Sequence, residues 1–172
     1  MRYSPSTTAK RLALAVAMAL SAVAAPSARA ATYDNADALR GVTSAKGVFL
    51  VDLDDPGKLA KYLELIGGSH RSLAQQGIAP DFKVVVIGPT VKYLAAEPPA
   101  NARPDQRALL ARIAHAVHDL TAQKIRVEVC RIALDVFRVE PAHLVPELTV
   151  VADGFISLIG YQTQGYGLVP IY

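Results

Sequence analysis

Apolar positions along the chain change period several times, and the changes mark alternating strands and helices. The segment GVFLVDL (47–53) is an almost unbroken apolar run, which predicts a strand covered on both faces. DDPGK follows, with Asp54 or Asp55 placed as an N-cap and Pro56 at the first helical position. Leu59, Tyr62, Leu63, Ile66, His70 and Leu73 then recur at helical spacing, Gly77 marks a stop, and Gly67-Gly68 predicts a kink or break midway. FKVVVIG (82–88) reads as a second buried strand, PTVKYLAAE as a short turn-helix, and EPPANARP (97–104) as a loop. A helix over 104–124 carries Leu109, Leu110, Ile113, Val117 and Leu120 on one face.

IRVEV (125–129) alternates apolar and charged residues, so the third strand is expected to have one covered and one polar face. Residues 132–137 form a short helix, and LTVVA (148–152) a fourth strand. Asp153 caps a helix bearing Phe155, Ile156, Leu158 and Ile159; Gly165 ends it; and GLVPIY (167–172) is a fifth strand, with Pro170 best placed on an edge. The alternation predicts an α/β three-layer sandwich with a mainly parallel five-stranded central sheet and helices on both faces. Ligands gather at the strand ends of such sheets, here 52–55, 88–92, Cys130-Arg131 and Asp153.

The first thirty residues change the picture of the whole. A basic start (Arg2, Lys10, Arg11), the apolar run LALAVAMALSAVAA (12–25) and the small-residue site at 28–30 form the pattern of a secretory signal peptide, with cleavage expected after Ala30. The run is too short to span a bilayer, and no cysteine follows to take a lipid. The expected organisation is a signal peptide (1–30), an N-terminal arm (31–46) that packs on a neighbouring subunit, and one domain (47–172), delivered to the periplasm or secreted. The full chain has 18 basic and 15 acidic side chains. Four of the basic ones and none of the acidic ones lie in 1–30, which leaves 14 against 15 and a formal charge of −1. The basic pI of 9.1 therefore belongs largely to the leader. No clustered basic face remains for nucleic acid, and no membrane association is expected after cleavage.

Cys130 is the only cysteine, so no internal disulfide is available to it in an oxidising compartment. It ends the third strand where a helix begins, and the amides of that helix would favour a thiolate, with Arg126 and Arg131 adding positive charge. Parity places it on the face of Arg126 and Glu128. A buried, inert small hydrophobe is the reading that stands beside this one.

Other constellations weaken on inspection. FLVDLDD resembles the first motif of haloacid-dehalogenase-like phosphatases, with Asp52 as nucleophile, Asp54 as acid/base and Thr90 as phosphate-binding hydroxyl. The later strand end offers only Asp153 where a pair of metal ligands is expected, so helix capping is the better account. Three carboxylates after the first strand also argue against a flavin-phosphate loop, and no GxGxxG or P-loop is present. His115 and His118 lie on the polar side of their helix without a second ligand cluster. His70 sits in an apolar stripe, and His143 in a loop. Neither a cofactor nor a metal is expected.

Taken together, VEVCRIAL, VVVIGPTVKYL and LTVVADGFISLIGYQTQGYGLVPIY resemble the DsrE/DsrF-like family of sulfur-relay proteins over about 47–172. The resemblance implies a parallel five-stranded α/β fold, homo-oligomers, and a cysteine, here Cys130, that accepts sulfur as a persulfide and passes it to a partner protein or small thiol. Gly88, Thr90, Lys92 and Arg131 are the accompanying candidate binding residues. The second reading under the same resemblance is a non-catalytic binding or assembly module in which Cys130 is structural.

Overall fold

Strand pairing starts earlier than the apolar runs do. In the computed structural model, which describes residues 33–172, β1 spans Ser44–Val51 and β2 spans Ala79–Val86, paired in parallel from Ser44↔Ala79 to Val51↔Val86. Main-chain hydrogen bonds carry the ladder back through exposed residues such as Ser44 and Lys46, so the expected arm loses its last three residues to β1. The signal-peptide segment lies outside the described residues. The chain divides into Met1–Ala36 and Asp37–Tyr172, and the second unit contains the whole sheet.

The other elements are α1 (Pro56–Gln75), α2 (Pro104–Ala122), β3 (Arg126–Cys130), α3 (Arg131–Phe137), β4 (Thr149–Val151), α4 (Gly154–Thr163) and β5 (Gly167–Ile171), with a 3-10 segment at Gly88–Tyr93. The sheet is fully parallel in the order β4-β3-β2-β1-β5. Strands β1 to β4 march in one direction, and the chain then crosses back to place β5 beside β1. Right-handed crossovers therefore put α4 on the opposite face from α1 and α2. Neighbouring β3 and β4 send their chains to opposite sides, which opens a crevice at their carboxyl ends.

The main core lies between the sheet and the α1–α2 pair, where Val84, Val86, Val127 and Val129 meet Leu59, Leu63, Ile113, Val117 and Leu120. Phe82 stacks edge-on with Phe49 at 4.9 Å and with His70 at 5.4 Å. Asp55 caps α1 by accepting from the Lys58 N–H at 2.9 Å, and Gly77 follows its end with φ +77°. The expected break at Gly67-Gly68 is absent: α1 runs straight through. Gly67 is buried against α2, where a Cβ would lie 3.0 Å from Gln123 Nε2 and 3.4 Å from Leu120 Cδ2, so this glycine serves close helix packing.

The opposite face differs from expectation. The charged side of β3 is covered by α4, and Glu128 is only 4% exposed. Glu128 accepts from Arg126 Nε and from the Tyr161 hydroxyl, both at 2.7 Å. Tyr161 meets Tyr166 edge-on at 5.2 Å, and the Tyr166 hydroxyl donates to Asp81, which also pairs with Lys83 at 2.7 Å. The alternation in IRVEV thus marks a buried polar network rather than a solvated face. Pro170 lies on the edge strand β5. Ile171 C=O accepts from Asp52 N–H toward β1, so the backbone of Pro170 faces the free edge, where a missing donor costs no ladder bond.

Candidate functional site

Cys130 is the last residue of β3 and the N-cap of α3, yet its sulfur is addressed by another helix. The backbone N–H of Gly154, the first residue of α4, donates to Cys130 Sγ at 3.3 Å. Asp153 caps α4 by accepting from Phe155 N–H at 2.8 Å, which fixes the helix start over the strand ends. Gly154 permits this approach: a Cβ there would lie 2.7 Å from Ile87 Cγ2, 3.1 Å from Cys130 Cβ and 3.3 Å from Val85 Cγ1. The expected donor, the start of α3, is replaced by a segment 24 residues further along. ADGF carries the only local signal for it, a cap residue followed by glycine.

Cys130 is 5% exposed and forms part of the floor of a cleft of about 260 Å³. Ile87, Ile132, Val136, Phe137 and Phe155 supply most of its walls, with Asp52, Gly88 and Asp153 at the strand ends. Gly88 has φ +58°, and its Cα lies so close to the Asp52 carboxylate that a Cβ would overlap Oδ1. Among the described residues no Lys or Arg lines this cleft. Arg131 pairs with Asp135 at 2.7 Å and Arg126 with Glu128, so neither provides the positive charge expected beside the thiol.

The structure brings Gly88 to Cys130 and leaves the other candidates elsewhere. Thr90 is fully buried; its hydroxyl accepts from Leu53 N–H and donates to Leu53 C=O at 2.9 Å, which ties down the loop after β1. Lys92 pairs with Asp54, and the Tyr93 hydroxyl donates to the same carboxylate at 2.7 Å. These two hydrogen bonds, Lys92's foremost, hold the Asp54 carboxyl below its usual range. Lys92 faces a separate, wider groove of about 790 Å³ between residues 95–99 and 138–143, which His143 also lines. His115 lies 3.5 Å from Asp119, and His118 lies 3.2 Å from Glu147. Among the described residues no three His, Cys, Asp or Glu side chains converge as metal ligands, and no helix is long and apolar enough to cross a membrane.

Sequence reasoning also missed the burial of Glu128 beneath α4. Burial alone would raise its carboxyl, but the hydroxyls of Ser157 and Tyr161 and the Arg126 guanidinium outweigh it and hold the group below its usual range. Ser157 sits beside the carboxylate without a well-aligned bond to Oε2, which is buried and unpaired. Burial, then the Glu128 hydrogen bond and charge, push the Tyr161 phenol up to about 12. A folded value above the unfolded one of 10.0 means that this stabilisation is complete below pH 10 and is lost as pH rises toward 12. Urea midpoints measured from pH 8 upward should fall in that window, and Tyr161→Phe should flatten the fall. It should not abolish it, because Tyr166 and Tyr93 are raised as well. An unchanged slope in Tyr161→Phe would refute the assignment.

A parallel five-stranded sheet with a cysteine at a strand-to-helix junction defines a recognisable class, and the comparisons agree. A model of the DsrE/DsrF-like family matches residues 1–170, and the chain belongs to that family. It is similar in fold to a protein of unknown function, MTH1491, from Methanobacterium thermoautotrophicum, with TM-score 0.56 and 20% identity, covering 74% of this chain and 99% of that one. The ychN protein from E. coli gives TM-score 0.55 at 15% identity, over 74% of this chain and 99% of that one. BT1422, a conserved protein of unknown function from Bacteroides thetaiotaomicron, gives 0.53 at 14%, over 75% and 95%. No curated protein matches the chain.

Proposed function

We propose that this protein is an exported sulfur carrier that holds sulfane sulfur as a persulfide on Cys130. The observation that carries the reading is the placement of Sγ on the floor of an apolar cleft at the carboxyl ends of β3 and β4, with the Gly154 N–H on the sulfur. Family membership supports it. A donor hydropersulfide, R–S–SH, presents its outer sulfur to the Cys130 thiolate. The Sγ–S bond forms, the donor's S–S bond breaks, and the donor leaves as the thiolate RS⁻. Delivery repeats the exchange: an acceptor thiolate takes the outer sulfur and Cys130 returns to a thiolate, with no oxidant consumed. Apolar walls protect such a persulfide from water and stray thiols between the two steps.

The leader-like pattern of 1–30 supports delivery by general secretion with cleavage after Ala30, which N-terminal sequencing of the protein from a periplasmic fraction tests. Incubation with polysulfide should add about 32 Da per sulfur to the wild-type protein in intact-mass spectra, and nothing to Cys130→Ser. The burial of Cys130 favours a second reading, an assembly module in which the thiol only fills space. That reading holds if wild type gains no sulfur and Cys130 resists alkylation until the protein is unfolded.

A further inference from the structure

The Cys130 cleft joins an apolar wall to an acidic rim. Ile132, Val136 and Phe155 stand at its mouth, 52%, 67% and 61% exposed, with Ile87 and Phe137 deeper. Its volume of about 260 Å³ leaves room for one ring or a short alkyl chain, since a cavity of ~150 Å³ already takes benzene. The wider groove beside Lys92 is of another kind, because Lys92 and Arg138 there face Glu97 and Glu140.

Among the described residues, Asp52 and Asp153 are the only charged side chains that line the cleft. Gly88 has no Cβ to displace the Asp52 carboxylate, which packs against the Gly88 backbone just beyond β1. Asp153 lies just beyond β4. The cations nearby are engaged elsewhere: Lys92 on Asp54, Arg131 on Asp135 and Arg126 on Glu128. Helix α4 turns its positive end toward the cleft, but its Gly154 N–H is taken by Sγ and its Phe155 N–H by Asp153. An incoming molecule therefore meets two carboxylates in an apolar setting, where like charge is repelled more strongly than in open water.

We propose that Asp52 and Asp153 set the donor class of this site: a small hydropersulfide, R–S–SH, whose R group is uncharged and apolar, with thiosulfate, glutathione persulfide and other anionic donors disfavoured. This donor class rests on the carrier reading of Cys130. The R group is held by Ile132, Val136 and Phe155 while the outer sulfur reaches Sγ on the cleft floor. The thiolate attacks that sulfur, the donor's S–S bond breaks and RS⁻ departs, so the donor carries no charge into the cleft. An anionic donor would have to bring its charge up to both carboxylates. Burial of one small apolar group and repulsion by two carboxylates together correspond to a preference in rate of roughly ten- to a hundredfold. Selection acts on rate, so excess polysulfide still loads the thiol in a long incubation.

Propyl and sulfonatoethyl methanethiosulfonates, alike in size but different in charge, read the selection without sulfane chemistry when each rate is divided by that with a free thiol. At neutral pH the uncharged reagent should modify Cys130 of the folded protein roughly tenfold faster. Asp52→Asn with Asp153→Asn should lower that ratio by about threefold or more, asparagine keeping the volume and the helix cap. Raising salt to about 0.5 M should lower it in wild type as well, a readout that needs no variant to fold. Benzyl and glutathione hydropersulfides then read the donor class by intact mass, the benzyl donor loading roughly tenfold faster on the same scale. Equal thiosulfonate rates, or a ratio indifferent to both salt and the double variant, would overturn the proposal whatever sulfur is gained. Equal loading by the two hydropersulfides would overturn the donor class and leave the carrier reading intact. Charge selection between the thiosulfonates with no sulfur gained from either hydropersulfide would overturn the carrier reading, and the donor class with it.

Discussion

Gly154→Ala is expected to lower the unfolding free energy by about 1–3 kcal/mol and to speed alkylation of Cys130 in the folded protein by roughly tenfold. Alanine is the better helix former, so propensity alone predicts the opposite sign. Crowding decides the matter. The new methyl would meet Ile87 Cγ2 at 2.7 Å and Cys130 Cβ at 3.1 Å, and a Cβ of the central sheet cannot move without its backbone. The start of α4 must therefore lift, which breaks the Gly154 N–H bond to Sγ and opens the cleft floor. Denaturant unfolding and alkylation kinetics read the two effects separately. Wild-type stability together with wild-type alkylation would show that the helix start does not seat the sulfur.

The same residues show what local sequence can and cannot reveal. Asp55, one of the two residues expected to cap α1, and Asp153 cap their helices, and Gly77 and Gly165 take positive φ just past helix ends, because caps and stops depend on a few adjacent residues. The strand-end position of Cys130 and its family resemblance were legible for the same reason. Its hydrogen-bond donor was not, because only the return crossover from β4 to β5 brings Gly154 over β3. Glu128 misled through the same crossover: charged alternation reads as a solvated face unless a distant helix covers it. Thr90 was placed at the right strand end for a binding hydroxyl, but both of its hydrogen bonds go to the Leu53 backbone. The helix carrying Phe155, Ile156, Leu158 and Ile159 was legible, but which of these face outward was not, because apolarity does not say on which side of a helix the cover lies.

Glu128→Ala is expected to be the most damaging single change beneath α4, at about 2–4 kcal/mol. The cost has two parts. Truncation strips the Tyr161 hydroxyl of its acceptor in a site that water does not reach freely, and it leaves Arg126 to find a new partner at the sheet surface. Arg126 is half exposed and can be hydrated, so Tyr161 suffers more. Glu128→Gln keeps the volume and an acceptor oxygen, and should cost less, about 1–2 kcal/mol at neutral pH. The comparison also has a pH signature. The native carboxyl lies below its unfolded value of 4.5, so its contribution is complete above pH 4.5 and is lost as pH falls through the native value. The gap between wild type and Glu128→Gln should therefore narrow on acidification, as denaturation at pH 7, 5, 4 and 3 would show. A gap independent of pH would mean that charge plays no part. Because Tyr161 lies two turns along α4 from Gly154, Glu128→Ala loosens the far half of the helix first. Its effect on Cys130 alkylation should then be smaller than that of Gly154→Ala despite the larger loss of stability.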